Sequence, residues 1–139
     1  MADRRRVVLV TGASSGIGNA CASQLAKKGY VVYGTSRDPA ARQRRADEFF
    51  ELVTMDASDD DSVETVMAYL LAKEEVLDAV VCCAGMGIAG PLEETPILEA
   101  ERQFDVNVLG VARVARLALP ALRSSGGSLI VIGSMAGQI

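Results

Sequence analysis

Hydrophobic positions along the chain follow two rhythms. Arg6 to Val10, Tyr30 to Gly34, Leu52 to Met55, Leu77 to Cys83 and Ser128 to Ile132 are short runs rich in β-branched and aliphatic residues. The first has almost no polar face, as expected of a strand covered on both sides in a parallel sheet. Between the runs, apolar residues recur at helical spacing. Ser15 to Lys28 predicts a helix with Ile17, Cys21, Leu25 and Ala26 on one face, ended by Gly29. Asp38 as N-cap and Pro39 at the first position predict a second helix over Pro39 to Phe50. Asp60 to Lys73 predicts a third, with Val63, Val66, Met67 and Leu70 inward. Pro96 to Leu122 predicts a long helical region carrying Phe104, Val108, Val111 and Ala115, kinked or ended by Pro120. Strand and helix alternate throughout, which implies right-handed crossovers and an α/β, doubly wound parallel sheet. No repeat or linker interrupts the alternation, so the 139 residues are expected to form one domain.

Composition narrows the class. Half the residues are hydrophobic, enough to bury a core. A net charge of -4 argues against a dedicated nucleic-acid binder, which carries a basic face. The basic residues do cluster, at Arg4 to Arg6, expected as a solvated tail, and at Arg37 to Arg45. No apolar run approaches the roughly 18 residues of a membrane span, and Val7 to Val10 is too short for a signal peptide. The 3 cysteines, with Cys82 and Cys83 adjacent, make no disulfide framework, so a soluble protein of a reducing cytoplasm is expected. With no histidine and no spaced Cys/Asp/Glu cluster, no metal site is expected.

Thr11-Gly-Ala-Ser-Ser-Gly-Ile-Gly18 follows the first strand and opens the first helix. Gly12 permits a tight strand-to-helix turn. Gly16 lets a pyrophosphate approach the backbone with no Cβ in the way. Gly18 lets the helix pack closely on the sheet. The helix N-terminus offers free N–H groups and partial positive charge to phosphates, and Ser14 and Ser15 can add hydroxyls. The alternative is a plain Gly/Ser turn before a helix.

At this point the chain resembles the short-chain dehydrogenase/reductase family. TGASSGIG matches that family's cofactor loop, so Gly12, Ser14, Ser15, Gly16, Ile17 and Gly18 are implied cofactor contacts. Asp56 follows the third strand, where the family's aspartate contacts adenine. Cys82-Cys83-Ala84-Gly85 stands where the family has Asn-Asn-Ala-Gly, which adds Ala84 and Gly85. Asn107, in FDVNVLG, matches the asparagine that organises the active-site backbone and a water. Ser134, in Gly133-Ser-Met-Ala-Gly137, matches the catalytic serine. The resemblance implies a Rossmann-type sheet of strand order 3-2-1-4-5, lacking the family's strands 6 and 7. CCAGMGIAGPLEE and GSMAG look most like the branch containing steroid and retinol dehydrogenases.

Two departures stand out. Cys83 replaces the asparagine that braces this strand in the family, and a thiol is a weak hydrogen-bond partner. Either some stiffness is lost or the backbone is satisfied otherwise. A buried, small apolar role is expected for Cys82 and Cys83 rather than a reactive one. The family's Tyr-x-x-x-Lys pair, which follows the serine, is absent before Ile139. Tyr69-Leu-Leu-Ala-Lys73 fits that spacing but lies between the third and fourth strands. It is expected to be a surface tyrosine and a solvated lysine.

By resemblance, the reaction is hydride transfer between a nicotinamide cofactor and a carbonyl or alcohol. Ser134 would hydrogen-bond the substrate oxygen, and Asn107 would hold a relay water. NADP(H) is expected over NAD(H), although NAD(H) remains possible. The end of the second strand, near Thr35, carries no carboxylate until Asp38. Arg37 can grip a 2′-phosphate with a fork, with Arg42, Arg44 and Arg45 adding field. The alternative is that these arginines are an exposed helix face. These residues alone are expected to bind cofactor without turnover. The alternatives are a non-catalytic nucleotide-binding half-domain, or a fragment completed by another chain. An apolar edge at Leu129 to Ile132, and family practice at the helix from Asn107 to Leu122, imply a homo-oligomer.

Overall fold

Five short strands, β1 (Val7–Thr11), β2 (Val31–Ser36), β3 (Glu51–Thr54), β4 (Ala79–Cys82) and β5 (Ser128–Val131), pair in parallel in a computed structural model of the chain. Their order is β3-β2-β1-β4-β5. The structure describes residues 4–40 and 49–138. The helices are α1 (Gly16–Lys27), α2 (Asp60–Glu74), α3 (Ile97–Phe104) and α4 (Gly110–Ser125). A π-helical segment, Asp105–Leu109, joins α3 to α4.

The sheet is buried on both faces at its centre. All five residues of β1 are buried. Successive side chains on a strand point to opposite faces. Val7 and Leu9 accordingly enter a core built with Val63, Leu70, Val114 and Leu122 of α2 and α4. Val8 and Val10 enter another with Ala22 of α1, Val32 and Phe50. The continuous apolar run of β1 is therefore the signature of a strand between two layers. On α2 the expected inward residues, Val63, Val66, Met67 and Leu70, are all buried.

The boundaries and phases differ in instructive ways. Strand β2 runs past Gly34 to Ser36. That glycine is no break, because a Cβ there would lie 2.6 Å from the Cβ of Ala13 and 2.8 Å from the Phe50 ring. Arg37 is thus the first residue beyond the strand. Ile17 points out of the buried stripe of α1 at 65% exposure, and Gly18 and Ala22 face the sheet instead. In α4 the buried positions are Gly110, Val114, Ala118 and Leu122. Phe104 and Val108 are exposed, because the π segment shifts the helical phase ahead of α4. Pro120 neither ends the helix nor lies at its end. It is exposed, so the i→i−4 bond that proline cannot donate is given up on the solvent face of the helix. The helix stops at Gly126, which takes φ +67, and the Gly127 N–H returns to the Leu122 carbonyl at 2.7 Å.

Asp38 accepts a hydrogen bond from the Ala40 N–H at 3.1 Å, closing a local turn. Residues 41–48 of the expected second helix, with Arg42, Arg44 and Arg45, lie outside the described residues. Phe49 and Phe50 are not helical. Arg4 is not a free tail residue. Its guanidinium forks onto Asp78 at 2.8 and 2.7 Å and ties the segment before β1 to the entry of β4.

Candidate functional site

The strand order reverses sequence direction between β1 and β4, and a crevice opens there at the carboxyl ends of the strands. It encloses a cavity of about 350 Å³.

Its floor is the turn from β1 into α1. Gly12 has φ +66, and a Cβ on it would lie 2.7 Å from the Ala84 Cα, so this turn and the end of β4 touch backbone to backbone. Gly18 packs on the turn itself, since its Cβ would stand 2.2 Å from the Gly12 carbonyl oxygen. That refines the expectation of packing on the sheet. Gly16 has φ +54 and nothing within 4 Å of where a Cβ would be. The space above it is open, as close approach of a ligand to the backbone requires. Ser15 is the N-cap of α1 but makes no side-chain capping bond, and the first turn holds no acid. The usual internal partners of a helix N-terminus are thus missing on the side that faces the cavity, which favours an anion.

The walls come from three other strand ends. All ten residues expected to contact cofactor line this one cavity: Gly12, Ser14, Ser15, Gly16, Ile17, Gly18, Arg37, Asp56, Ala84 and Gly85. Arg37 is exposed at the exit of β2. Asp56 accepts from the Ser58 N–H at 2.9 Å and the Ser58 hydroxyl at 2.6 Å. Burial pushes the Asp56 carboxyl up, but the two Ser58 bonds, helped by the charges of Arg37 and Arg113, hold it below its ordinary value. It is a carboxylate with acceptor capacity turned to the cleft.

Asn107 and Ser134 do not line the cavity. Asn107 sits within the π segment and clamps one peptide unit. Its Oδ1 accepts from the Met86 N–H at 2.8 Å, and its Nδ2 donates to the Met86 carbonyl at 2.7 Å. Met86 does line the cavity. Ser134 lies just beyond β5, at the same end of the sheet, where its hydroxyl accepts from the Ala136 N–H at 3.1 Å.

Thr11 supplies the bracing that Cys83 does not. Its buried hydroxyl oxygen accepts from the N–H groups of Cys83 and Ala84 at 3.1 and 3.0 Å. The backbone bracing is supplied from the neighbouring strand. Burial pushes the Cys82 thiol up to about 11 and raises that of Cys83, so both remain thiols at neutral pH. Met55, Ala57 and Val106 also line the cavity and had no sequence signal.

Tyr69 and Lys73 lie elsewhere. Both are exposed and both bond Glu51, the first residue of β3, at 2.7 and 2.8 Å. The cleft is at the other end of the strands. The lysine is partnered rather than merely solvated, and the pair fastens α2 to the sheet.

The family model of the short chain dehydrogenases matches residues 6–139. The chain belongs to the short-chain dehydrogenase family. Among similar members, the probable short-chain type dehydrogenase/reductase VdlC of Helicobacter pylori is 37% identical over 96% of this chain and 49% of its own length. Human retinol dehydrogenase 8 is 35% identical over 99% of this chain and 47% of its own. A short-chain dehydrogenase from Streptomyces avermitilis superposes with a TM-score of 0.87 at 35% identity, covering 98% of this chain and 52% of that structure. An alcohol dehydrogenase from Thermococcus sibiricus, solved with 5-hydroxy-NADP, gives 0.82 at 31% identity over 92% of this chain and 57% of that structure. This short-chain dehydrogenase chain spans about half the length of the curated relatives it matches.

Proposed function

We propose that the cleft binds a nicotinamide dinucleotide, with NADP(H) preferred, and that the protein transfers hydride between it and a small carbonyl or alcohol compound. The observation that carries this reading is the floor of the cleft. An uncapped helix N-terminus faces open space across Gly16, where a Cβ would meet nothing. That shape accepts a diphosphate on backbone N–H groups.

The remaining residues have roles that follow from their chemistry. Ser14 and Ser15 add hydroxyl donors to the phosphates. Asp56 accepts from the adenine. Ala84 and Gly85 keep the β4 end flat beneath the dinucleotide. Asn107 fixes Met86 and, with Ser134, orients the groups around the substrate oxygen. When bound, the nicotinamide supplies the hydride donor or acceptor. The stretch after Ser134, residues 135–139, contains no tyrosine or lysine to exchange the proton. These residues alone are therefore expected to bind the cofactor without turnover.

The NADP(H) preference rests on Arg37, exposed beside the cavity at the exit of β2, with no acid at Thr35 or Ser36. Fluorescence titration of NADPH and NADH against wild type and Arg37→Ala tests it. We expect NADPH to bind the wild type more tightly and to lose roughly tenfold or more in the variant, the worth of a charge-assisted bond. NADH should change little. Equal wild-type affinities for the two would refute the preference.

A further inference from the structure

Arg113 lies on α4 and does not line the cleft, yet its guanidinium reaches four acceptors on α2, the turn after β3 and the π segment. The side chain is 19% exposed. Nε donates to the Asp60 carboxylate in the first turn of α2 at 2.5 Å. Nη2 meets the Asp105 carboxylate at 2.8 Å. Nη1 donates to two backbone carbonyls, Ala57 at 3.3 Å and Asp105 at 3.4 Å.

Those carbonyls belong to segments that line the cavity from different elements. Asp56 and Ala57 form the turn after β3, and Val106 represents the π segment. α4 also presses on that turn directly, because a Cβ on Gly110 would lie 3.0 Å from the Ala57 carbonyl oxygen. From the π segment, Asn107 grips Met86. From the turn, Asp56 presents its carboxylate. A planar fork with five donors can hold two carbonyls and two carboxylates at set angles, and a lysine ammonium cannot.

We propose that Arg113 is a positioning residue that fixes the Asp56–Ala57 turn relative to the π segment, so that both walls of the cofactor cleft are set before ligand arrives. This rests on the dinucleotide reading of the cleft, which the test below separates from it. Removing the fork loosens both segments at once. Asp56, whose ionised form Arg113 also favours, then loses its fixed place.

The experiment compares Arg113→Met, Arg113→Lys and wild type, with Asp60→Asn as a control that removes only the exposed arm. Amide hydrogen exchange is followed at Ser58, Met86 and the residues of β1 without ligand, and NADPH affinity is measured in parallel. In Arg113→Met, exchange at both Ser58 and Met86 should rise by about tenfold, the loss expected for a charged hydrogen bond. β1 should stay protected, and NADPH affinity should fall by a similar factor. Lysine should not rescue either readout, and Asp60→Asn should change both by much less. If the methionine variant does not fold, Arg113→Lys and Asp105→Asn carry the same comparison. A lower melting temperature with Ser58 and Met86 protection unchanged would overturn the proposal, reducing Arg113 to a surface staple. Should exchange respond as expected in a folded chain that binds no NADPH, the coupling stands and the cofactor reading falls.

Discussion

Gly16 carries more of this account than any other residue. It combines φ +54 with open space. A Gly16→Val chain should lose roughly 1–2 kcal/mol of stability, the cost of a side chain in a left-handed conformation. Its loss of dinucleotide affinity should be larger, because the new Cβ stands where the phosphates are proposed to approach. Calorimetric melts paired with binding titrations separate the two, and an unchanged affinity would be contrary to the account. Thr11 makes a different kind of contribution. Thr11→Val keeps the shape but leaves the N–H groups of Cys83 and Ala84 without their acceptor. Denaturant unfolding should show a loss of about 2 kcal/mol, and Thr11→Ser should recover most of it. Asp78 gives a pH signature. Arg4 chiefly, with the Val7 N–H opposing the penalty of burial, holds its carboxyl below the ordinary 3.8. A depressed folded value adds stability above the ordinary value and loses it as pH falls through the folded one. The stability gap between wild type and Asp78→Asn should therefore be flat above about pH 5 and close below it. Urea midpoints across an acid series measure this, and a gap that widens on acidification would contradict it.

At the scale of elements, the sequence was most informative where one residue's own backbone carries the constraint. The glycine turn was legible because φ above zero and forbidden Cβ positions restrict residue type directly, as at Gly12 and Gly18. The buried strands were legible because both faces are covered, so β1 has no polar position to obscure it. The inward face of α2 followed from spacing alone. What escaped depends on partners distant in sequence. The Thr11 hydroxyl serves residues on β4, Arg4 serves Asp78, and Arg113 serves Ala57 across 56 positions. None of these leaves a local pattern. The π segment escaped for another reason. It inserts into a helical run without changing composition, and only a slip in the apolar stripe, from Phe104 and Val108 exposed to Val114 and Ala118 buried, records it. Gly34 misled in the opposite direction, since a strand glycine that admits a neighbouring side chain looks like a terminator in sequence.

Across the whole molecule, the apolar surface is unevenly distributed. The centre of the sheet is buried, but β5 forms an edge on which Ile130, Val131 and the following Ile132 are 41%, 52% and 40% exposed. An exposed apolar edge strand pairs readily with another chain. These residues expressed by themselves should associate with rising concentration, and Val131→Lys should weaken that association. Light scattering over a dilution series reads this, and a monomer of constant mass at the highest concentrations would count against it. The cleft proposed to bind the dinucleotide lies between β1 and β4, at the carboxyl ends of the central strands. Binding there should thus survive the charge introduced at β5.

The most direct measurement is isothermal titration of NADPH, and separately NADH, into the 139-residue chain at a temperature where a cooperative melt proves it folded. Saturable heat from at least one nucleotide, abolished in Gly16→Val, is the predicted result. No heat from either, in that demonstrably folded sample, would contradict the claim that the first turn of α1 is a diphosphate cradle.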